Sequence, residues 1–343
     1  MTEEKQDIAL SKFVPQPTLV VEEHVVEKAR FPAVDVHNHL GWWEAEKAGE
    51  LVALMDEVGL QTIVSLDGGR REKLQDHLDA YPGKYPGRFV VFTRVPWGES
   101  EDPEFPKRAG EQLKRDVEAG ARGLKVSKTL GLRAKNPEGE LYRADDERLA
   151  PIWEACAELG IPVLIHIADP VAFFRPLDGR NERWEELQNH SGWHFFKPGF
   201  PSFEELMEQQ ANLVAAHPKT TFISAHVGSY AENLAWISGM FDRYPNYYVD
   251  ISARIAELGR QPYTAREWFV KYADRILFGT DGRPDVGNYR IHWRFLETAD
   301  EYFNYSTGDP AGQGRWRIFG VHLPEDVLRK VYHDNAARLI HLE

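Results

Sequence analysis

The spacing of apolar positions changes along this chain. From residue 32 onward, short runs rich in β-branched and aromatic residues alternate with longer runs whose apolar positions recur every three to four residues. The first pattern is that of strands and the second that of amphipathic helices. Strands are predicted to end at His37 and to cover 61–67, 88–93, 123–127, 162–166, 222–226, 247–251 and 276–281. Helices are predicted around 44–58, 70–80, 105–118, 146–159, 203–217, 232–244 and 264–272, with a closing helix from 324 to about 339. Gly59, Gly120 and Gly160 each follow an apolar-periodic run, where a left-handed C-terminal residue is wanted.

Eight strands, each followed by a helix, predict a parallel sheet closed into a (β/α)8 TIM barrel over residues 32–343. An open doubly wound sheet would carry a Gly-rich turn after its first strand, and here that turn reads His37-Asn38-His39-Leu40. Residues 1–31 lack a helical period and are expected to form an N-terminal arm packing on the barrel. Two aromatic-rich stretches read as long insertions after strands 5 and 8: 168–202, which shows no single period, and 282–323. Loops of that length are usually functional, so a lid or an oligomer interface is expected, with a dimer favoured.

Composition narrows the function. The formal net charge is −13, which argues against nucleic acid as a partner, since phosphate binding needs a basic face. No apolar run approaches the ~20 residues of a membrane span, and the first residues are acidic rather than basic-then-apolar, so a cytoplasmic protein is expected. The single cysteine, Cys156, falls on the apolar face of a helix and reads as a core residue.

The C-terminal strand ends of such a barrel face the active site, so their ionisable residues form one set. The first strand supplies His37 and His39, which alternate onto one side, a geometry a metal ion can use. The fourth supplies Lys125, the fifth His166, the sixth His226 and the eighth Asp281.

This arrangement resembles the amidohydrolase superfamily, in particular its amidohydrolase 2 branch, typified by aminocarboxymuconate semialdehyde decarboxylase. The resemblance rests on Asp35-Val36-His37-Asn38-His39, Leu164-Ile165-His166, Ser224-Ala225-His226, Phe278-Gly279-Thr280-Asp281 and Asp334-Asn335-Ala336-Ala337-Arg338-Leu339. It implies that His37, His39, His166 and Asp281 bind one divalent metal with His226 beside it, Asp281 orienting a bound water and taking its proton, and His226 polarising a substrate carbonyl or acting as general acid or base. Zinc is the first expectation, and manganese, iron and cobalt suit the same donors. In other branches a carboxylated lysine on the fourth strand bridges two metals. Here Lys125 is read as an unmodified cation near the substrate, with pairing to a carboxylate such as Asp67 as the alternative.

Arg254, Arg283, Trp42 and Trp43 follow strand ends and would suit a small, flat, carboxylate-bearing substrate. The first functional expectation is a metal-dependent hydrolase acting through an activated water. The alternative is a non-oxidative decarboxylase of an aromatic or muconate-like acid, and a third reading is a non-catalytic barrel with a structural metal.

Overall fold

The computed structural model describes residues 7–308 and 311–342, apart from the side chains of Ser11 and Trp42. Among the described residues nine short strands make up the barrel: β1 (Ala33–Asn38), β2 (Leu60–Ser65), β3 (Phe89–Val91), β4 (Thr93–Arg94), β5 (Leu124–Val126), β6 (Val163–Ile165), β7 (Phe222–Ser224), β8 (Tyr247–Asp250) and β9 (Ile276–Leu277). All neighbours run parallel, β1 to β3 in one sheet and β4 to β9 in the other.

The sheets are two parts of one (β/α)8 TIM barrel. β3 and β4 are halves of one stave broken at Phe92: Phe92 N donates to Ser65 O on one side, and Thr93 N to Gly123 O on the other. First and last staves meet where Val36 N donates to Phe278 O and Asp281 N to His37 O, at 3.1 and 2.8 Å. Gly279 permits this approach, because a Cβ there would stand 3.0 Å from His37 Cβ.

Every second stave residue packs inside. Val34, Val36, Val64, Leu66, Val90, Phe92, Leu164, Ile223, Tyr248 and Leu277 form one cluster, floored by Ala336 and Ile340 of the last helix. The alternate set, including Ala33, Ile63, Phe89, Leu124, Val163, Phe222, Val249 and Ile276, faces the surrounding helices. Lys125 is in register with Leu164, as Leu164 is with Ile223, so it occupies an interior position.

β1 breaks this alternation. Val34 and Val36 point inward, yet so does His37, and the β1–β2 register is irregular between Asp35 and Asn38. An irregularity of this kind lets an extra residue turn the next side chain to the same face. The histidine pair is thereby swung into the barrel mouth.

The predicted helices are present at Ala48–Val58, Glu72–Ala80, Phe105–Ala119, Ala150–Leu159, Phe203–Ala216, Leu234–Arg243 and Pro262–Lys271. The closing helix runs as three segments, Glu325–Arg329, Lys330–Asp334 and Asn335–Ile340, the middle one a π-turn. The segment after the last stave, read only as a long aromatic-rich insertion, has regular structure of its own. It holds a regular helix, Val286–Glu297, capped by the Asp285 side chain and burying Tyr289, His292, Trp293, Phe295 and Leu296.

The insertion after β6 carries only short helical turns, at Val171–Phe174, Trp184–Asn189 and Ser191–Trp193. Ion pairs join it to its neighbours: Arg183 to Glu186 and Glu257, Glu185 to Arg315, and Glu182 to Arg260. Residues before β1 touch the barrel at Ala29 N to Val58 O, and through His24 and Arg294 on the buried Asp300. Further out, Leu10, Phe13, Leu19, Val20 and Val25 are exposed.

Candidate active site

Three imidazoles converge on one carboxylate at the barrel mouth. Asp281 Oδ1 lies 3.5 Å from His37 Nε2 and 3.4 Å from His39 Nε2, and its Oδ2 lies 3.6 Å from His226 Nε2. Ligand atoms of His37, His226 and Asp281 all fall within 4.8 Å of one another.

The partners of the other ring nitrogens set the tautomers. His37 Nδ1 is 2.9 Å from Asp250 Oδ2, His39 Nδ1 is 2.9 Å from Asp67 Oδ1, and His226 Nδ1 is 2.9 Å from Ser252 O. A carboxylate or a carbonyl oxygen only accepts, so each Nδ1 carries the proton and each Nε2 turns a lone pair to the centre. Burial drives the His37 and His226 imidazoles well below their ordinary range, and neighbouring cations add to this, so both are neutral.

Three lone pairs around a carboxylate repel one another unless positive charge stands between them. A divalent ion with bonds of about 2.1 Å holds its donors roughly 3.0 to 3.4 Å apart, close to the separations seen here. The donor set fits such an ion.

Backbone strain accompanies the cluster. His226, Val227 and Ser229 adopt φ of 62°, 55° and 62°, and Asp281 adopts 52°. Non-glycine residues sit in the left-handed region only when surrounding contacts hold them there. Here Asp250 Oδ1 accepts from His226 N and Ser252 N, while Asp281 N is tied to His37 O.

Lys125 is almost wholly buried, with Nζ 3.2 Å from His37 Nε2. Burial pulls its ammonium down to about 8, against the pull of Asp281 and Asp250. It does not pair with Asp67, which is taken by His39 and, at 2.5 Å, by Arg94 Nη2. Burial pushes the Asp281 carboxyl above its usual range, while His39 and Lys125 oppose the rise.

His166 stands one ring further out. Its ring centroid is 4.4 Å from that of His226, and its Nε2 lies 3.3 Å from Asp169 Oδ1 rather than against Asp281. Arg254 is buried beside the cluster; Nη1 donates to Ala253 O, and Nε has no partner among the described residues. At the rim, exposed Arg283 lies over the Trp43 ring at 5.6 Å. The Trp42 side chain lies outside the described residues.

Sequence reasoning gave no role to Asp35, Asp169 or Asp250 and set Asp67 only beside Lys125, although these carboxylates hold the site. Asp35 is fully buried and accepts five hydrogen bonds: from His37 N, the Asn38 amide, Thr280 N, Thr280 Oγ1 and the Tyr289 hydroxyl. Asp250, Asp67 and Asp169 each back one histidine. The available signal was an aspartate in or just after each of four apolar strand runs, where an unpaired charge would be costly.

A family model described as Amidohydrolase matches residues 34–342, so the chain belongs to the amidohydrolase family and is a metal-dependent enzyme. Among solved structures it is similar to a 2,6-dihydroxybenzoate decarboxylase from Rhizobium, at 20% identity and TM-score 0.56, covering 91% of this chain and 99% of that one. It also resembles a 5-carboxyvanillate decarboxylase from Novosphingobium aromaticivorans, solved with manganese and 4-hydroxy-3-methoxy-5-nitrobenzoic acid. That pair shares 14% identity and TM-score 0.53, over 93% of this chain and 99% of that one. A dihydroxybenzoic acid decarboxylase from a Polaromonas species, holding manganese and 2-nitroresorcinol, matches at 19% identity and TM-score 0.56, over 91% and 97% of the two chains. No curated protein matches the chain. At these identities the likeness establishes the barrel. No helix among the described residues is long and apolar enough to cross a membrane.

Proposed function

We propose that this enzyme is a non-oxidative decarboxylase of a small aromatic or muconate-like acid, and that one divalent ion is held by His37, His39, His166 and Asp281 with His226 beside it. The observation that carries the reading is the pairing of a His/Asp cluster with two buried basic side chains, Lys125 and Arg254, at the mouth of a barrel whose solved neighbours include decarboxylases. Those neighbours weigh for decarboxylation over the hydrolysis expected first. The manganese in two of them puts manganese beside zinc as the ion to test.

The bound ion would supply electrophilic charge for an anionic oxygen of the substrate. Arg254, whose Nε has no partner among the described residues, presents donors to the substrate carboxylate, and Lys125 adds a second positive charge. Asp281 delivers a proton to the carbon that bears the carboxylate. The C–C bond then breaks, its electron pair stays with the ring or diene, and carbon dioxide leaves. Asp281 regains its proton from solvent. His226, fixed through Nδ1, presents Nε2 to the same space and accepts or orients that proton.

The test is carbon dioxide release from hydroxybenzoates and muconate-like acids by protein loaded with manganese or zinc, set beside lactone and amide hydrolysis. Release from one of the acids, with about one ion per chain by elemental analysis, is the expected result. Hydrolysis without carbon dioxide release would overturn the reading. We further propose a homodimer in the cytoplasm, supported by the exposed apolar residues of the arm, and light scattering after gel filtration tests its stoichiometry.

A further inference from the structure

Arg254 and Gln313 reach the same backbone oxygen from distant parts of the chain. Arg254 Nη1 donates to Ala253 O at 2.7 Å, and Gln313 Nε2 donates to it at 3.2 Å. A carbonyl oxygen has two lone pairs and takes both donors at once. The two nitrogens therefore stand no more than about 6 Å apart. Arg254 is buried, its Nε has no partner among the described residues, and the bond to Ala253 O is the one its guanidinium makes there. Ala253 itself is held in the left-handed region, with φ of 53° and its N donating to Thr280 O at 3.1 Å.

Gln313 is presented by a braced segment. Gly314 N donates to the Tyr305 hydroxyl at 2.8 Å, and that hydroxyl donates to Gly314 O at 2.7 Å. Arg315 pairs with both carboxylate oxygens of Glu185, at 2.5 and 2.8 Å. The Trp316 ring has the Arg260 guanidinium at 4.1 Å and that of Arg183 at 5.3 Å, and Arg183 is buried in its ion pairs with Glu186 and Glu257. The segment after the last stave is thus fastened to the insertion after β6. Gln313 stands next to these anchors, so the fold aims its amide at Ala253 O.

We propose that Gln313 is the positioning residue for Arg254, keeping the Ala253 carbonyl hydrogen-bonded when the guanidinium turns from that oxygen to the substrate carboxylate. This rests on the reading of Arg254 as the residue that binds that carboxylate. With Gln313 in place, Arg254 exchanges a neutral acceptor for a charged one and strands no protein acceptor behind it. Without Gln313 the same turn leaves Ala253 O without either side-chain donor, so the guanidinium is held back on the carbonyl and the substrate binds less tightly.

A double-mutant cycle on the full-length, manganese-loaded protein tests this, read by calorimetric titration with salicylate as the carboxylate probe. Arg254→Met should weaken salicylate binding at least about tenfold, and Gln313→Met about 3- to 10-fold, the effect of one hydrogen bond. In the Arg254→Met background, Gln313→Met should change affinity by less than about twofold, because its effect runs through the guanidinium. Gln313→Glu, similar in shape but with no donor for Ala253 O and with a charge that draws the guanidinium aside, should bind salicylate at least as weakly as Gln313→Met. With an acid that the enzyme turns over, both Gln313 variants should raise KM and leave kcat within about twofold of wild type. A Gln313→Met affinity within about 1.5-fold of wild type, an equal loss in both backgrounds, or a fall in kcat at unchanged KM would overturn the proposal and leave Arg254 in its role. Unchanged salicylate binding in Arg254→Met, or no binding by the wild type, would remove the carboxylate-binding role of Arg254 and the proposal with it.

Discussion

Replacing Asp35 by asparagine should destabilise the protein through one oxygen. Oδ1 accepts from two backbone amides, His37 N and Thr280 N, both at 3.1 Å. Oδ2 accepts from the Asn38 amide at 3.0 Å, Thr280 Oγ1 at 2.7 Å and the Tyr289 hydroxyl at 2.8 Å. Asparagine preserves the first pair and turns an NH2 toward the other three. Three lost hydrogen bonds at about 1 to 1.5 kcal/mol each give roughly 3 to 4.5 kcal/mol. Removing a buried charge offsets part of this, because burial already pushes the Asp35 carboxyl up against the pull of its donors. The net expectation is about 2 to 4 kcal/mol. For a chain of 343 residues that corresponds to a fall of about 3 to 6 °C in melting temperature, read by scanning calorimetry. A melting temperature within about 1 °C of wild type would show that the hydroxyls simply reverse and that the carboxylate is dispensable.

Other sites give independent tests. His292 is buried, its Nδ1 donates to Asn288 O and its Nε2 has no partner among the described residues; burial draws it down to about 4. Between pH 6.5 and about 4 the unfolded chain therefore takes up a proton that the folded one refuses, and stability falls as pH falls through that window, by on the order of 3 kcal/mol in full. Denaturant midpoints for His292→Phe should show a shallower acid slope, and an unchanged slope would rule the histidine out as its source. Gly279→Ala should cost about 1 to 3 kcal/mol and lower metal affinity, since the added methyl meets His37 Cβ at 3.0 Å; calorimetry and chelator competition read the two effects. Arg254→Met should raise KM for the carboxylate substrate at least about tenfold, and steady-state kinetics that leave KM unchanged would remove Arg254 from substrate binding.

The barrel was legible because its signals are local. Each stave is a short apolar run, each helix shows its own period, and His37, His39, His166, His226 and Asp281 fall near stave ends in order. Helix Val286–Glu297 was equally available, with Tyr289, His292, Trp293 and Leu296 at helical spacing behind an Asp285 cap, but aromatic density masked the period. What sequence could not yield depends on distant partners. The Asp35 donors at Thr280 lie 245 residues away, and the Asp250 carboxylate 213 residues from His37. The inward turn of His37 arises from an irregular register between β1 and β2, which alternation along one strand cannot foresee. Asp67 illustrates the same limit: proximity in the barrel gave it to His39 and Arg94, not to Lys125.

The junction of the first and last staves also orders events in time. His37 and His39 leave the ribosome before Asp281, whose amide seals onto His37 O and which follows about 240 residues later. At roughly 5 to 20 residues per second, that is an interval of about 12 to 50 s in which the growing chain holds the imidazole pair without the aspartate that faces it. The two hydrogen bonds that close the ring of staves thus mark the moment in biosynthesis when the candidate metal centre becomes complete.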